Sequence, residues 1–174
     1  MMSDPKALPV AGLPALLHGR AQRAPDAQAL AALDREPMTY LALWRQVEYT
    51  CGVLRRYGIG ADDTVAVVLP NGAEMAAAFL GVAASAICAP LNAAYSSDQF
   101  RFYLSDLQGC ALILPAGEAG PARVVAAELG IRLIELAAAE EAVAGVFRLG
   151  DFQGGADGAA TWSDDPDTCA LVLH

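Results

Sequence analysis

The middle of the chain alternates short apolar runs with longer stretches of helical period. Residues 64–69 (TVAVVL) are continuously apolar and rich in β-branched side chains, which is typical of a strand covered on both faces. Further strands are predicted at 87–89, 110–114 and 131–135, with helices at 72–85, 97–108 and 120–129. Strand starts about 20 to 25 residues apart leave room for one crossover helix each. The pattern predicts an α/β fold with a doubly wound, mostly parallel sheet and flanking helices.

The residues before this series predict a smaller group of elements. An amphipathic helix at 13–24 is stopped by Pro25, and a strand at 27–33 turns through Asp34, Arg35 and Glu36 to a short partner around Met38. A second helix is predicted from a cap at Thr39 to a glycine stop at Gly58.

Two later helices carry polar start signals. Ser96 and Gln99 have the spacing of a capping box, in which the hydroxyl and the amide each bind a backbone N–H at the helix start. Asn71 and Glu74 have the same spacing and predict a cap for the helix at 72–85. Phe100, Tyr103, Leu104 and Leu107 then give the later helix one apolar face.

The regular alternation of predicted strands and helices ends after residue 135. A short helix is predicted at 140–146, followed by an exposed Gly- and Asp-rich connector at 148–167. Its glycines do not indicate a phosphate loop, because Asp151, Asp157, Asp164 and Asp165 would repel phosphate, and their spacing is not that of a calcium loop. Residues 168–173 (TCALVL) predict a central strand with nothing after it to bury it. We therefore expect a tail at 1–12, a subdomain at 13–147, the connector at 148–167 and a strand at 168–174 at which a larger protein is cut.

Composition excludes several classes of protein. The 174 residues are 55% hydrophobic and 18% charged, as expected for a globular chain. The net charge of -9 makes nucleic acid and anionic membranes poor partners. The uncharged run 75–91 is mostly small residues and is broken by Pro90, so a buried helix and strand explain it better than a membrane span. The first residues do not resemble a secretion signal, and a cytoplasmic location is expected.

Side chains that could carry chemistry are scattered. The four cysteines (Cys51, Cys88, Cys110 and Cys169) have no paired spacing, and we expect buried thiols without disulfides, zinc or haem. The pairs Asp62–Asp63, Glu140–Glu141 and Asp164–Asp165 are expected to be solvated, and His18 to lie on the surface. The sequence contains no GxSxG nucleophile elbow, no GxGxxG or Walker nucleotide loop and no HExxH metal motif. No catalytic, cofactor-binding or metal-binding residue is predicted.

A set of short motifs nevertheless resembles a known family in its order and spacing. The chain, over about residues 13–173, resembles the amino-terminal subdomain of the adenylate-forming acyl-CoA synthetases in Pro25-Asp26, Thr39-Tyr40, Asp63-Thr64-Val65, Leu69-Pro70-Asn71, Glu74, Phe79, Gly81, Pro90-Leu91-Asn92 and Tyr95. The stretch 90–106 is most similar to the oxalate-CoA ligase and 4-coumarate-CoA ligase branches. Asp62 and Ser85 stand where the family usually has glycine.

The resemblance implies a ligase that joins a small carboxylic or fatty acid to CoA through an acyl-adenylate, using ATP, Mg²⁺ and CoA. In the family the phosphate loop, the aromatic-Thr-Glu motif, the ribose-binding Asp and the catalytic Lys all lie downstream of the matched region. The chain itself is therefore expected to be inactive and to bind none of these cofactors. Self-association through the exposed strand at its end is also expected.

Two other interpretations remain open. A stand-alone α/β interaction or scaffold module would keep the fold without the chemistry. A Rossmann nucleotide-binding domain ranks third, because Pro70-Asn71-Gly72 after the first parallel strand does not supply its glycine loop.

Overall fold

The computed structural model describes residues 12–139, 143–151, 162 and 168–173. This part of the chain forms five helices and seven strands. In chain order they are α1 Leu13–Arg23, β1 Gln28–Leu30, β2 Met38–Thr39, α2 Tyr40–Arg56, β3 Thr64–Val67, α3 Ala73–Ala83, β4 Ile87–Pro90, α4 Ser97–Asp106, β5 Ala111–Pro115, α5 Pro121–Glu128, β6 Arg132–Ala138 and β7 Phe147–Leu149. The predicted α/β class is confirmed.

The main sheet has the strand order β4-β3-β5-β6-β7 in the described part of the chain. Its first four strands are parallel, with Val65 of β3 opposite Cys88 of β4 on one side and Ala111 of β5 on the other. β7 runs antiparallel to β6. The chain first moves from β3 outward to β4 and then crosses back to β5, so the direction of winding reverses between β3 and β5.

Helices cover both faces of this sheet. Val65 and Val67 belong to the core that packs against α2 and α3, whereas Ala66 and Val68 belong to a second core with Phe100 of α4. Successive side chains of a strand point to opposite faces, so one continuous apolar run serves both cores. The predicted doubly wound arrangement is confirmed.

Close packing of α2 on α3 depends on a glycine. Thr50 of α2 is fully buried, and its hydroxyl donates a 2.9 Å hydrogen bond to the carbonyl of Gln46. A Cβ atom added to Gly81 would lie only 2.7 Å from the Cβ of Thr50. Because that separation is far inside van der Waals contact, the two helices can approach this closely only with glycine at position 81.

Two of the three predicted polar helix caps are present. In the capping box before α4, the N–H of Gln99 donates to Ser96 Oγ at 3.4 Å and the N–H of Ser96 donates to Gln99 Oε1 at 2.9 Å. Thr39 Oγ1 accepts a hydrogen bond from the N–H of Ala42 at 3.2 Å at the start of α2.

The predicted cap of α3 by Asn71 and Glu74 is wrong. The N-cap is Gly72, and it makes no side-chain cap hydrogen bond. The Glu74 carboxylate instead accepts hydrogen bonds from Arg35 and from the backbone of Gly145. The carboxylate that the local pattern predicts as a helix cap is thus bound by residues that are distant in the sequence.

The predictions after residue 135 also need correction. β6 continues to Ala138 and pairs with β7, a strand that was not predicted and that lies where the predicted subdomain meets the predicted connector. Within the predicted helix 140–146, residues 140–142 lie outside the described part and residues 143–146 form turns. Gly145 has a φ of +82°, which a right-handed helix does not allow. At the other end of the chain, the strand predicted at 27–33 is only the three residues of β1.

The outer edge of β7 is closed by side chains from α2. Gln46 Nε2 donates a 3.1 Å hydrogen bond to the carbonyl of Phe147, and the N–H of Leu149 donates to Tyr49 Oη at 3.0 Å. These side chains bind the backbone groups that a further strand would need.

The outer edge of β4 is met by the last described residues. The N–H of Cys88 donates to the carbonyl of Ala170, and the N–H of Val172 donates to the carbonyl of Cys88, each at 3.0 Å. The strand predicted at 168–173 is thus reduced to one parallel bridge between Cys88 and Leu171. None of the helices in the described ranges is long and apolar enough to cross a bilayer.

Candidate functional site

The carboxyl ends of β3, β5 and β6 surround a cavity of about 400 Å³. Leu69, Pro115 and Leu136 contribute apolar walls, and Asn71 and Glu74 contribute polar groups. Open α/β sheets bind ligands in the crevice at the carboxyl ends of the strands, where the direction of winding reverses. This cavity lies at that reversal and is the candidate site; we call it the switch-point crevice.

An ion pair is built into the wall of the switch-point crevice. Arg35 Nη1 lies 2.5 Å from Glu74 Oε1, and both side chains are about four-fifths buried, with exposed fractions of 18% and 21%. Arg35 Nη2 also donates to the carbonyls of Ala139 and Val143, each at 3.0 Å. The guanidinium therefore ties the turn after β1 to the start of α3 and to the segment after β6.

Glu74 is ionised at neutral pH. Burial acts to raise the pKa of its carboxyl, but the hydrogen bond from Arg35 and those from the backbone N–H groups of Glu74 and Gly145 outweigh burial and lower it. The position of Glu74 in the first turn of α3 also suits a negative charge. Among the described residues, every buried side-chain nitrogen or oxygen has a hydrogen-bond partner.

Gly145 completes this cluster. Its N–H donates to Glu74 Oε1 at 3.0 Å, and its φ of +82° lies in the left-handed region. A Cβ atom at this position would lie 3.1 Å from the carbonyl oxygen of Ala73 and 3.3 Å from side-chain atoms of Leu30 and Met38. Space and backbone conformation together require glycine here.

Sequence reasoning missed the roles of Arg35 and Gly145. The local pattern predicts only a turn at Arg35 and Glu36 and a helix around Gly145. The only hint in the sequence is that the glycine interrupts an otherwise apolar stretch. The arginine gives no local signal, because its hydrogen-bond partner Val143 is 108 positions away in the chain.

The four cysteines are all free and are not brought together. Cys51 and Cys88 are buried as expected, but Cys110 is only partly buried and Cys169 is exposed, which corrects the prediction of four buried thiols. Burial raises the pKa of Cys88 to about 12 and also raises the pKa of Cys51. Both thiols are therefore neutral at physiological pH, and we expect them to react slowly.

His18 is not the surface residue that was predicted. It is half-buried and stacks on Trp44, with ring centroids 4.8 Å apart. Trp162 meets the same tryptophan edge-on at a centroid distance of 5.0 Å. Aromatic packing accounts for all three rings.

The acidic residues do not form a site in the part of the chain that the structure describes. Asp63 Oδ2 accepts a 2.8 Å hydrogen bond from the N–H of Gly60 and so stabilises the turn before β3, while Asp62 and Asp151 are exposed. The pairs Glu140–Glu141 and Asp164–Asp165, together with Asp157, lie outside the described residues. No three His, Cys, Asp or Glu side chains are gathered to hold a metal ion within the described ranges.

The motifs that carry the family resemblance lie in turns and packing positions. Leu69, Pro70 and Asn71 line the switch-point crevice after β3. The Asn92 side chain accepts a 2.9 Å hydrogen bond from the N–H of Ala94 in the turn before α4. These residues shape the scaffold on which the crevice is built.

Comparison with known proteins agrees with this scaffold. Residues 17–170 match the family model described as AMP-binding enzyme. The chain is 32% identical over 164 residues to an oxalate-CoA ligase of Arabidopsis thaliana, and the match covers 93% of this chain and 32% of that protein. It is 31% identical over 166 residues to the probable CoA ligase CCL9 of Humulus lupulus, with coverage of 93% and 31%.

Among solved structures, a long-chain-fatty-acid-CoA ligase from Archaeoglobus fulgidus shares the fold with a TM-score of 0.75 at 16% sequence identity, over 99% of this chain and 36% of that one. The chain spans about a third of the length of the curated relatives that it matches. Because the family match extends over most of the sequence, the chain belongs to the family of AMP-binding enzymes.

Proposed function

We propose that this chain is the amino-terminal part of an ATP-dependent acid-CoA ligase. One observation carries the proposal: identity of 31–32% to two CoA ligases extends across 93% of this chain but across only about a third of theirs. The shared order of the turn motifs, from Pro25-Asp26 to Tyr95, supports the same assignment.

The proposed reaction has two steps. A carboxylate oxygen attacks the α-phosphate of ATP, and pyrophosphate leaves to give an acyl-adenylate. The sulfur of CoA then attacks the acyl carbon, and AMP leaves to give the thioester. Mg²⁺ would neutralise charge on the phosphates in the first step. The family resemblance implies that the groups that perform these steps lie beyond the region matched here.

The residues that line the switch-point crevice do not fit a triphosphate or its metal ion. The lining of the switch-point crevice contains no lysine, arginine or histidine, and Arg35 beside it is paired with Glu74. The only lysine of the sequence is Lys6, outside the described residues. We therefore assign this chain the role of a scaffold and derive no catalytic step from its side chains.

The test compares two polypeptides in one assay. Carboxylate-dependent exchange of labelled pyrophosphate into ATP is measured for the 174-residue chain and for the polypeptide encoded when the reading frame is extended past His174. We expect no exchange from the 174-residue chain and exchange from the extended one, with oxalate and 4-coumarate among the acids tried. Exchange by the 174-residue chain would contradict the scaffold role. A reading frame that stops after His174 would favour the stand-alone interaction module.

Self-association through residues 168–174 stays a prediction. The exposed fractions of Leu171 (39%) and Leu173 (71%) support it, since apolar edges of this kind favour pairing. In sedimentation velocity, the sedimentation coefficient should increase with protein concentration, and Leu173→Lys should abolish this increase. A monomer at all concentrations would contradict it.

A further inference from the structure

The switch-point crevice has the size and position of a ligand site in its own right. Its volume of about 400 Å³ falls within the usual range for small-molecule pockets, roughly 300–1,000 Å³. It opens at the carboxyl ends of parallel strands, beside the reversal between β3 and β5. A ligand is inferred here from described residues alone and not from the ligase assignment.

The crevice is electrically balanced. Glu74 is the one ionisable side chain in its lining, and the guanidinium of Arg35 neutralises that carboxylate at 2.5 Å. The start of α3 adds a partial positive charge next to the same group. An ion of either sign would lose its hydration without meeting an uncompensated opposite charge, so a charged ligand is disfavoured.

The polar groups of the crevice favour a ligand that donates hydrogen bonds. A carboxylate offers about four acceptor positions. Three N–H donors reach Glu74, from Arg35, Gly145 and its own backbone, so the carboxylate keeps acceptor capacity, and Glu74 lines the cavity. The Asn71 amide lines the same space. The remaining walls are aliphatic or proline carbon, including Leu69, Pro70 and Leu136.

We propose that the switch-point crevice binds a small neutral molecule with an apolar body and a hydroxyl or amide donor, which hydrogen-bonds to Glu74. The body packs between the β3 end at Leu69 and the β6 side chain of Leu136. Arg35 holds the Glu74 carboxylate in place while the ligand binds.

Three probes of almost equal shape test the charge preference: tryptophol, tryptamine and indole-3-propionate, which share an indole ring and a two-carbon spacer. The 174-residue chain is titrated with each at neutral pH, and amide shifts of Gly72 and Ala116 are followed by NMR. We expect tryptophol to bind at least tenfold more tightly than either ion. Tighter or equal binding of an ion, or shifts confined to other parts of the chain, would overturn the proposal.

A charge placed at the crevice provides the matched variants. Ala138 lies in the lining at the end of β6 and is exposed, so Ala138→Lys should fold normally. We expect it to raise the affinity for indole-3-propionate, relative to the affinity for tryptophol, at least fivefold. Ala127→Lys on the exposed face of α5 is the control and should change neither. Equal responses of the two variants would show that the probes bind elsewhere and would overturn the proposal.

A blocking variant gives a second readout. Ala116 is exposed and lines the crevice, so Ala116→Trp should fill the space without disturbing the core. We expect at least a tenfold loss of tryptophol affinity at an unchanged melting temperature. Unchanged affinity would contradict the proposed location. The ligase assignment stands or falls separately, because none of these measurements requires ATP or CoA.

Discussion

Arg35 and Glu74 lie 39 positions apart in the sequence and form an ion pair at 2.5 Å that joins three separate segments. Arg35 also donates to two carbonyls after β6, and Glu74 accepts the N–H of Gly145. Removing either partner leaves the charge of the other about four-fifths buried without its counter-charge, and this cost exceeds the net value of the intact pair.

A double-mutant cycle measures this coupling. We expect Arg35→Met and Glu74→Gln each to lower the free energy of unfolding by about 1–3 kcal/mol, because each leaves buried donors or acceptors unpaired. The double variant should cost clearly less than the sum of the two. Urea denaturation monitored by circular dichroism gives the free energy of unfolding of the wild type, the two single variants and the double variant.

The exposed pair between Arg101 and Glu128 is the matched control. Their side chains are separated by 2.7 Å but are 45% and 48% exposed, so solvent screens the attraction. The coupling free energy from a cycle of Arg101→Met and Glu128→Gln should be less than half of the coupling free energy between Arg35 and Glu74. Equal couplings would mean that burial adds nothing to the inner pair.

Stability should depend on pH through Glu74. Its pKa in the folded protein is lower than the ordinary value of 4.5, so the stabilisation is fully present above that value and is lost as the pH falls through the lowered pKa. The difference in unfolding free energy between the wild type and Glu74→Gln should be constant at neutral pH and shrink below about pH 4.5. Comparison of the two proteins at equal pH cancels the contributions that they share. A difference that grows on acidification would contradict the sign.

Gly145 should tolerate substitution worse than another left-handed glycine. Gly145→Ala combines a positive φ with a Cβ contact of 3.1 Å to the Ala73 carbonyl, and we expect a loss of about 2–4 kcal/mol. Gly130 has a φ of +68° and open space around it, so Gly130→Ala should cost only about 1 kcal/mol. Thermal and urea unfolding of the two variants provides the comparison. Similar losses of stability in the two variants would show that the left-handed backbone alone determines the cost and that the Cβ contact adds nothing.

Thiol reactivity should follow burial. We expect the exposed Cys169 to react with a disulfide reagent about a hundredfold faster than Cys88, whose pKa is raised to about 12 by burial. Cys169→Ser should remove the fast phase and leave the slow reaction unchanged. A fast phase that survives this substitution would assign it to another thiol.

Local patterns predicted the parts of the fold that are governed by local energetics. A continuous apolar run located β3, the 3.6-residue period located the helices around it, and Ser96 with Gln99 located the start of α4. The cap of α3 was wrong because Glu74 is bound by Arg35, a partner that is remote in sequence. β7 was missed since it is only three residues long and owes part of its hydrogen bonding to Gln46 and Tyr49.

The candidate site was harder to predict for the same reason. A crevice at a strand reversal is a property of strand order, and one sequence does not reveal that β5 pairs with β3 instead of β4. Most of the residues that line it are small or apolar and resemble core positions in the sequence. Only their placement at the carboxyl ends of three strands distinguishes them.

The two edges of the main sheet have unequal capacity for extension. At β7 the Gln46 amide and the Tyr49 hydroxyl already bind the outward carbonyl of Phe147 and N–H of Leu149. At β4 the backbone of Cys88 binds another segment of main chain instead. Within the described residues, the sheet can therefore be extended at one edge only. Side chains of α2 occupy the backbone groups at the β7 edge, and any strand that joins the sheet must pair beside Leu171 at the β4 edge.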